Sequence, residues 1–303
     1  MRIGKYPENA YKRSVQKYLT ASRHTLITTV RQTALIHGTV PAVFLQDALN
    51  EIYASGSVPE AVSLGFALSP ETEESTVSSV MKDLSALCEE ADIPVSSADV
   101  HTYPDIRVSL LQITVTGRAG ETGMVKPESG DLLLTAPIAL AGTGILAKMR
   151  EEELLQRFAR PFVQRAQSFL NSLSVQKAAK TALENGAAFT YSLGEGGVFA
   201  GLWEMADLLQ TGLNVDLKAI PVWQESVEIC EQCRLNPYQL LATGALLVVA
   251  KNGFLMQQQL RAEGIDAELI GNIAPGNDRV ITNDTETRYL TLPQVDEIYQ
   301  IFC

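Results

Sequence analysis

The sequence is short of positive charge. Lys and Arg number 24 against 35 Asp and Glu, a formal net charge of -11 at pH 7. A surplus of acids excludes a general basic surface of the kind that holds nucleic acid. Long apolar runs are also missing. None approaches the roughly 20 residues that a membrane span needs, so no membrane partner is expected. The first residues, MRIGKYPENAYKRS, contain no apolar core and do not read as a secretory leader. Four cysteines, Cys88, Cys230, Cys233 and Cys303, are too few to staple 303 residues with a disulfide framework. The three histidines, His24, His37 and His101, form no metal-binding spacing. These absences leave a reduced, cytoplasmic globular chain as the expectation. Its hydrophobic content of 46% is enough for a sizeable core.

The most informative stretch is Ala187 to Leu213, AAFTYSLGEGGVFAGLWEMADLLQTGL. It reads as strand, glycine turn, helix. Residues 187–191 are short and apolar, as a buried strand is. Gly194, Glu195, Gly196 and Gly197 then make a tight turn, and Val198, Leu202, Met205 and Leu208 recur at helical spacing. The first N–H groups of a helix are unpaired and its dipole is positive there, so such a turn suits an anion such as phosphate. It serves equally as a plain strand-to-helix connection. The dinucleotide fingerprint fails, because the third glycine position is Phe199.

Elsewhere apolar periodicity predicts helices over residues 8–20, 44–55, 69–91, 142–149, 160–173, 175–185, 224–233 and 254–263. Strands are expected at 62–68, 95–97, 107–116, 131–136, 244–250 and 267–273, with a closing hairpin after the Asn277–Asp278 and Asn283–Asp284 turns. A strand and turn are expected within 24–40, and a short extended piece at 216–218. The stretch 131–136 is apolar enough to be buried on both faces. Residues 117–130, rich in Gly, Pro, Lys and Glu, read as the linker between two domains, placed at 1–122 and 123–303. The fold class is α+β.

Several separated segments together resemble one superfamily, that of aminoimidazole-ribonucleotide (AIR) synthetase, in its HypE-like, AIR synthase-related branch. They are the opening MRIGKYPENAYKRSVQKYL; Leu49-Asn50-Glu51-Ile52 with Ser55-Gly56-Ser57-Val58-Pro59; and Gly130-Asp131-Leu132 with Ala141-Gly142-Thr143. Leu193-Gly194-Glu195-Gly196-Gly197 with Leu202-Trp203-Glu204, Leu235-Asn236-Pro237-Tyr238 and Ile270-Gly271 complete the set. The resemblance implies a two-domain PurM-like fold, with an N-terminal α/β half-barrel and a C-terminal α+β sandwich. It also implies a homodimer that binds ATP or another phosphorylated small molecule, with Mg²⁺ held by acidic side chains. Carried over by position, Asn50, Gly142, Thr143, Gly194, Glu195, Gly196 and Gly197 are cofactor-binding candidates. Glu51 and Asp99 are the metal candidates, and the C-terminal Cys303 is the catalytic thiol.

The chain departs from the pattern where the chemistry sits. Residues 28–34, TTVRQTA, stand where a glycine- and acid-rich loop is usual, and Ser192, Gly194 and Ala141 replace an acid, a threonine and an acid. Two functions therefore stay open. One is an ATP-dependent phosphoryl-transfer or dehydration enzyme. The other is a degenerate homodimeric relative that binds or regulates without turning over ATP. Asp47, one helical turn before Glu51, either shares a cation with it or repels it across a solvated face.

Overall fold

The computed structural model describes residue 14 and residues 26–34, 39–120 and 126–301. Apart from residue 14, the helix expected over 8–20 lies outside them, as does Cys303. The remainder forms two sheets with helices packed on them, an α+β architecture in two domains. No described helix is long and apolar enough to cross a membrane.

The first sheet is built from β1 (Leu26–Ala34), β2 (Val58–Leu68), β3 (Val95–Thr102) and β4 (Leu110–Arg118), in the order β1-β4-β2-β3. Its inner face is set by alternation: Val62, Leu64, Phe66 and Leu68 of β2 and Leu111, Ile113 and Val115 of β4 are all buried. Two helices cover the domain core, α1 (Thr39–Ala54) and α2 (Glu74–Glu90). Val80, Leu84 and Cys88 form the buried stripe of α2 at a spacing of four. Helix α1 is buried nearly all round, including Asp47 and Asn50.

The second sheet has seven strands: β5 (Gly130–Thr135), β6 (Phe189–Ser192), β7 (Gly212–Asp216), β8 (Leu246–Ala250), β9 (Ala267–Ala274), β10 (Arg279–Asn283) and β11 (Glu286–Tyr289). Their order is β11-β10-β7-β9-β5-β8-β6, and every neighbouring pair is antiparallel except β7 with β10. Strand β5 lies inside the sheet, between β9 and β8, and feeds both cores: Leu133 joins the one shared with the first domain, and Leu132 and Leu134 join the other. The first core is covered by α3 (Leu140–Met149), α4 (Glu151–Leu154), α5 (Arg160–Ser168), α6 (Gln176–Glu184), α8 (Gln224–Cys233) and α9 (Gly253–Ala262). The second lies under α7 (Gly197–Leu209).

Two local expectations are corrected. Residues 217–219 form one turn of 3-10 helix, with Asp216 capping it by accepting from the Lys218 N–H. The helix after the glycine turn stops at Leu209, where Gln210 takes a left-handed conformation, and β7 begins at Gly212. The apolar residues of β7, Leu213 and Val215, follow too closely for periodicity to separate them from the helix.

The domains meet along α1, which packs on the first sheet on one side and on α6 and β6 on the other. Asn50 fixes this junction. Its amide N–H donates to the Leu173 carbonyl at 2.7 Å, and its carbonyl accepts from the Val175 N–H at 3.1 Å and from Gln46 at 2.8 Å. Thr190 adds a hydroxyl bond to the Ala54 carbonyl. Asn50 is fully buried, so removing it leaves two buried backbone groups unpaired. Each such orphan costs about 1–3 kcal/mol. Asn50→Ala is therefore expected to lower unfolding stability by about 2–4 kcal/mol in urea titration, with both domains still unfolding together.

Candidate functional site

A cleft of about 890 Å³ opens between the domains. Strand β1 and helix α1 form one wall; β6, the glycine turn, α7 and Tyr299 form the other. That volume suits a small-molecule site. Among its described lining residues are one cation, Arg31, and four acids, Asp47, Glu51, Glu195 and Glu204.

Arg31 is placed by the pleat of β1. Thr29, Arg31 and Thr33 point inward, and the Thr29 hydroxyl donates to the Ala48 carbonyl of α1. Two residues along, Arg31 therefore reaches the face of α1 that carries Asp47 and Glu51. Its Nε donates to Asp47 Oδ2 at 2.5 Å and its Nη2 to Glu51 Oε2 at 2.6 Å. Burial alone would lower the Arg31 pKa, but the two carboxylates hold it above its ordinary value. Asp47 is also gripped from the second domain, where the Thr243 hydroxyl donates to its Oδ1 at 3.0 Å. A Cβ on Gly194 would stand 2.5 Å from that same oxygen, so the first glycine of the turn makes room for a carboxylate of this chain.

The rest of the turn is enclosed. Gly196 and Gly197 have φ of 85° and 69°, which glycine adopts without strain. The Gly196 N–H donates to Asp296 Oδ2 at 2.6 Å. The Gly197 N–H donates to the Gly194 carbonyl and the Phe199 N–H to the Tyr238 carbonyl. Asp296, 1% exposed, also accepts at Oδ1 from the Leu241 N–H at 3.2 Å and the Ile298 N–H at 2.7 Å. A carboxylate from near the C-terminus thus takes the place where a helix N-terminus would hold an anion. Burial pushes the Asp296 pKa up to about 7, against the pull of its backbone hydrogen bonds, and Glu195 adds to the rise.

With this geometry in view, comparison with known proteins is informative. Residues 14–119 match the family model of the AIR synthase related protein, N-terminal domain. The chain carries an AIR synthase-related N-terminal domain. None of the curated proteins matches it. Among solved structures, E. coli HypE, a hydrogenase maturation protein, is similar at 19% identity over 90% of this chain and 88% of that one, with a TM-score of 0.73. HypE in complex with ATP is similar at 16% identity, covering 94% and 91%, with a TM-score of 0.69. Thiamine monophosphate kinase from Aquifex aeolicus is similar at 15%, covering 92% and 96%, with a TM-score of 0.68. The chain therefore has the two-domain PurM-like fold shared by HypE and thiamine monophosphate kinase.

The expected site residues do not converge. Gly194, Glu195 and Glu51 line the cleft. Gly196 and Gly197 lie buried beneath Asp296 and the Tyr238–Gln239 backbone. Asn50 is consumed at the domain junction. Gly142 is packed against Leu240, and Thr143 is fully buried with its hydroxyl donating to Ser226 at 2.9 Å. Asp99 pairs in register with Gly65, which pairs with Gln112 and through it with Gln32. That row is the outer face of the first sheet, whereas Arg31 belongs to the inner row with Ile113 and Leu64. Asp99 is 79% exposed and pairs with His101 at 3.2 Å. The sheet itself separates Glu51 from Asp99, so the two do not form one metal site within the chain. Among the described residues no three His, Cys, Asp or Glu side chains group to hold a metal, and the implied Mg²⁺ does not fit this donor set. On α8, Cys230 is buried, with its pKa pushed up to about 12 by burial, and Cys233 is half-buried.

Sequence reading missed Arg31 and Asp296. Arg31 had a signal: an isolated cation in a β-branched strand, facing acids spaced four apart on a helix. Asp296 had none for its role at the glycine turn, since two of its three backbone N–H partners lie 55 and 100 positions away. Its folded pKa lies above the unfolded value near 3.9. Its contribution to stability is therefore complete below about pH 4 and is lost as pH rises to about 7. Urea unfolding at pH 5 and 7.5 is expected to show the native chain losing more stability over that interval than Asp296→Asn.

Proposed function

We propose that this chain is a HypE-like, AIR synthase-related homodimer that acts as a binding or regulatory protein and does not turn over ATP. The observation that carries this reading is the Asp296 carboxylate seated on the Gly196 N–H, where a nucleotide phosphate would otherwise be held. The formal charges of the cleft agree with it: four acids to one guanidinium oppose a bare polyphosphate.

Nucleotide binding without turnover is supported by a separate observation. The cleft is wide enough for a nucleotide beside Gly194 and Glu195, and a protein of similar fold, HypE, has been solved with ATP. The homodimer is supported by the outer face of the first sheet, where Leu26, Val30 and Leu110 are about half exposed. A second copy would cover them.

Calorimetry with ATP, with and without Mg²⁺, tests the reading, paired with a chromatographic assay for ADP. The expected result is no magnesium-dependent affinity and no ADP release. Tight magnesium-dependent binding accompanied by ADP would overturn it in favour of an ATP-dependent enzyme. Light scattering after size exclusion is expected to give a dimer mass, and Leu26→Glu with Leu110→Glu a monomer.

A further inference from the structure

Asp47 and Glu51 lie one helical turn apart on the same face of α1, a placement in which two carboxylates repel unless a cation lies between them. The Asp47 side chain is 7% exposed, so its charge cannot be left to solvent. Hard oxygen ligands at this spacing are what a divalent ion takes from a protein. Here a side chain stands in that position. The guanidinium of Arg31 touches one oxygen of each acid, at 2.5 Å and 2.6 Å. The second Asp47 oxygen is taken by Thr243. A guanidinium has five N–H donors; besides these two bonds, Nη1 donates to the Val30 carbonyl at 3.2 Å. Arg31 remains 28% exposed at the cleft wall.

We propose that Arg31 is a built-in replacement for a divalent cation: it holds Asp47 and Glu51 as a metal ion would, so a phosphorylated ligand entering the cleft meets this guanidinium instead of a metal. The inference deepens the reading of a protein without ATP turnover. It also explains in one step why Glu51 is present and why no metal is needed beside it. Because the cation is covalently attached, it is present in every copy at any magnesium concentration, and chelators cannot remove it.

Manganese binding to the full-length protein, without nucleotide, tests the proposal. The probe is Mn²⁺ alone, followed by electron paramagnetic resonance and by thermal unfolding. The native chain is expected to take up no Mn²⁺ saturably at sub-millimolar concentration. Arg31→Ala and Arg31→Gln leave the paired carboxylates uncompensated. Each is expected to bind one Mn²⁺ per chain at least tenfold more tightly than the native chain and to gain thermal stability from it. Adding Glu51→Gln to either variant should abolish both effects. If the variants are unfolded in EDTA, Mn²⁺ is expected to restore cooperative unfolding. Saturable Mn²⁺ binding by the native chain that Glu51→Gln removes would overturn the proposal. So would Arg31 variants that neither bind Mn²⁺ nor are stabilised by it. Because no nucleotide is present, either failure leaves the calorimetric result with ATP to be judged by itself.

Discussion

A carboxylate taken out of water must be compensated, and at the junction of the two domains that requirement falls on Asp47. It is met from two directions, by Arg31 of the first sheet and by the Thr243 hydroxyl of the second domain, while Gly194 leaves the room the carboxylate needs. Each partner constrains the next. Arg31 has to point inward from β1, which fixes the phase of that strand against α1. Gly194 has to lack a side chain, which fixes the first position of the turn. Removing Arg31 leaves the buried Asp47 charge without its counter-ion, and that is why these groups act as a unit. Asn50, one residue before Glu51, adds the uncharged part of the same junction.

The same economy recurs at the far end of the cleft. At the start of the helix that follows the glycine turn, the N–H groups of Gly196, Gly197 and Phe199 are answered by the chain itself, through Asp296, the Gly194 carbonyl and the Tyr238 carbonyl. The scaffold is that of HypE and thiamine monophosphate kinase, but at identities of 15–19% the likeness transfers the fold and no more. In this chain a guanidinium answers the Asp47 and Glu51 carboxylates, and a carboxylate answers the Gly196 N–H. On the reading proposed above, a scaffold so satisfied keeps its cleft without the drive to bind metal-loaded triphosphate.

Much of the architecture was legible in the residues because it rests on local periodicity. The run at 131–136 reads as a strand buried on both faces and is an interior strand of the seven-stranded sheet, with Leu132, Leu133 and Leu134 fully buried. The stripe of Val80, Leu84 and Cys88, and the turn into α7, follow from spacing and glycine alone. Less legible were β7, separated from α7 by only two residues, and the 3-10 turn at 217–219, whose Asp216 cap is a single side-chain bond.

The site divides along the same line. Sequence by itself determined the glycine turn, the acids at 47 and 51 one helical turn apart, and the absence of glycines and acids from residues 28–34, because each is a matter of residue type and short-range spacing. Only the tertiary structure decided what those groups do. Asp99 and Glu51 are separated by the pleat of the first sheet; Asn50, Gly142 and Thr143 are claimed by packing; Asp296 is carried to Gly196 across 100 positions. The charge of a buried acid depends on which partner the fold brings within about 3 Å, and that distance is set by pairing register and domain packing, which no local pattern encodes.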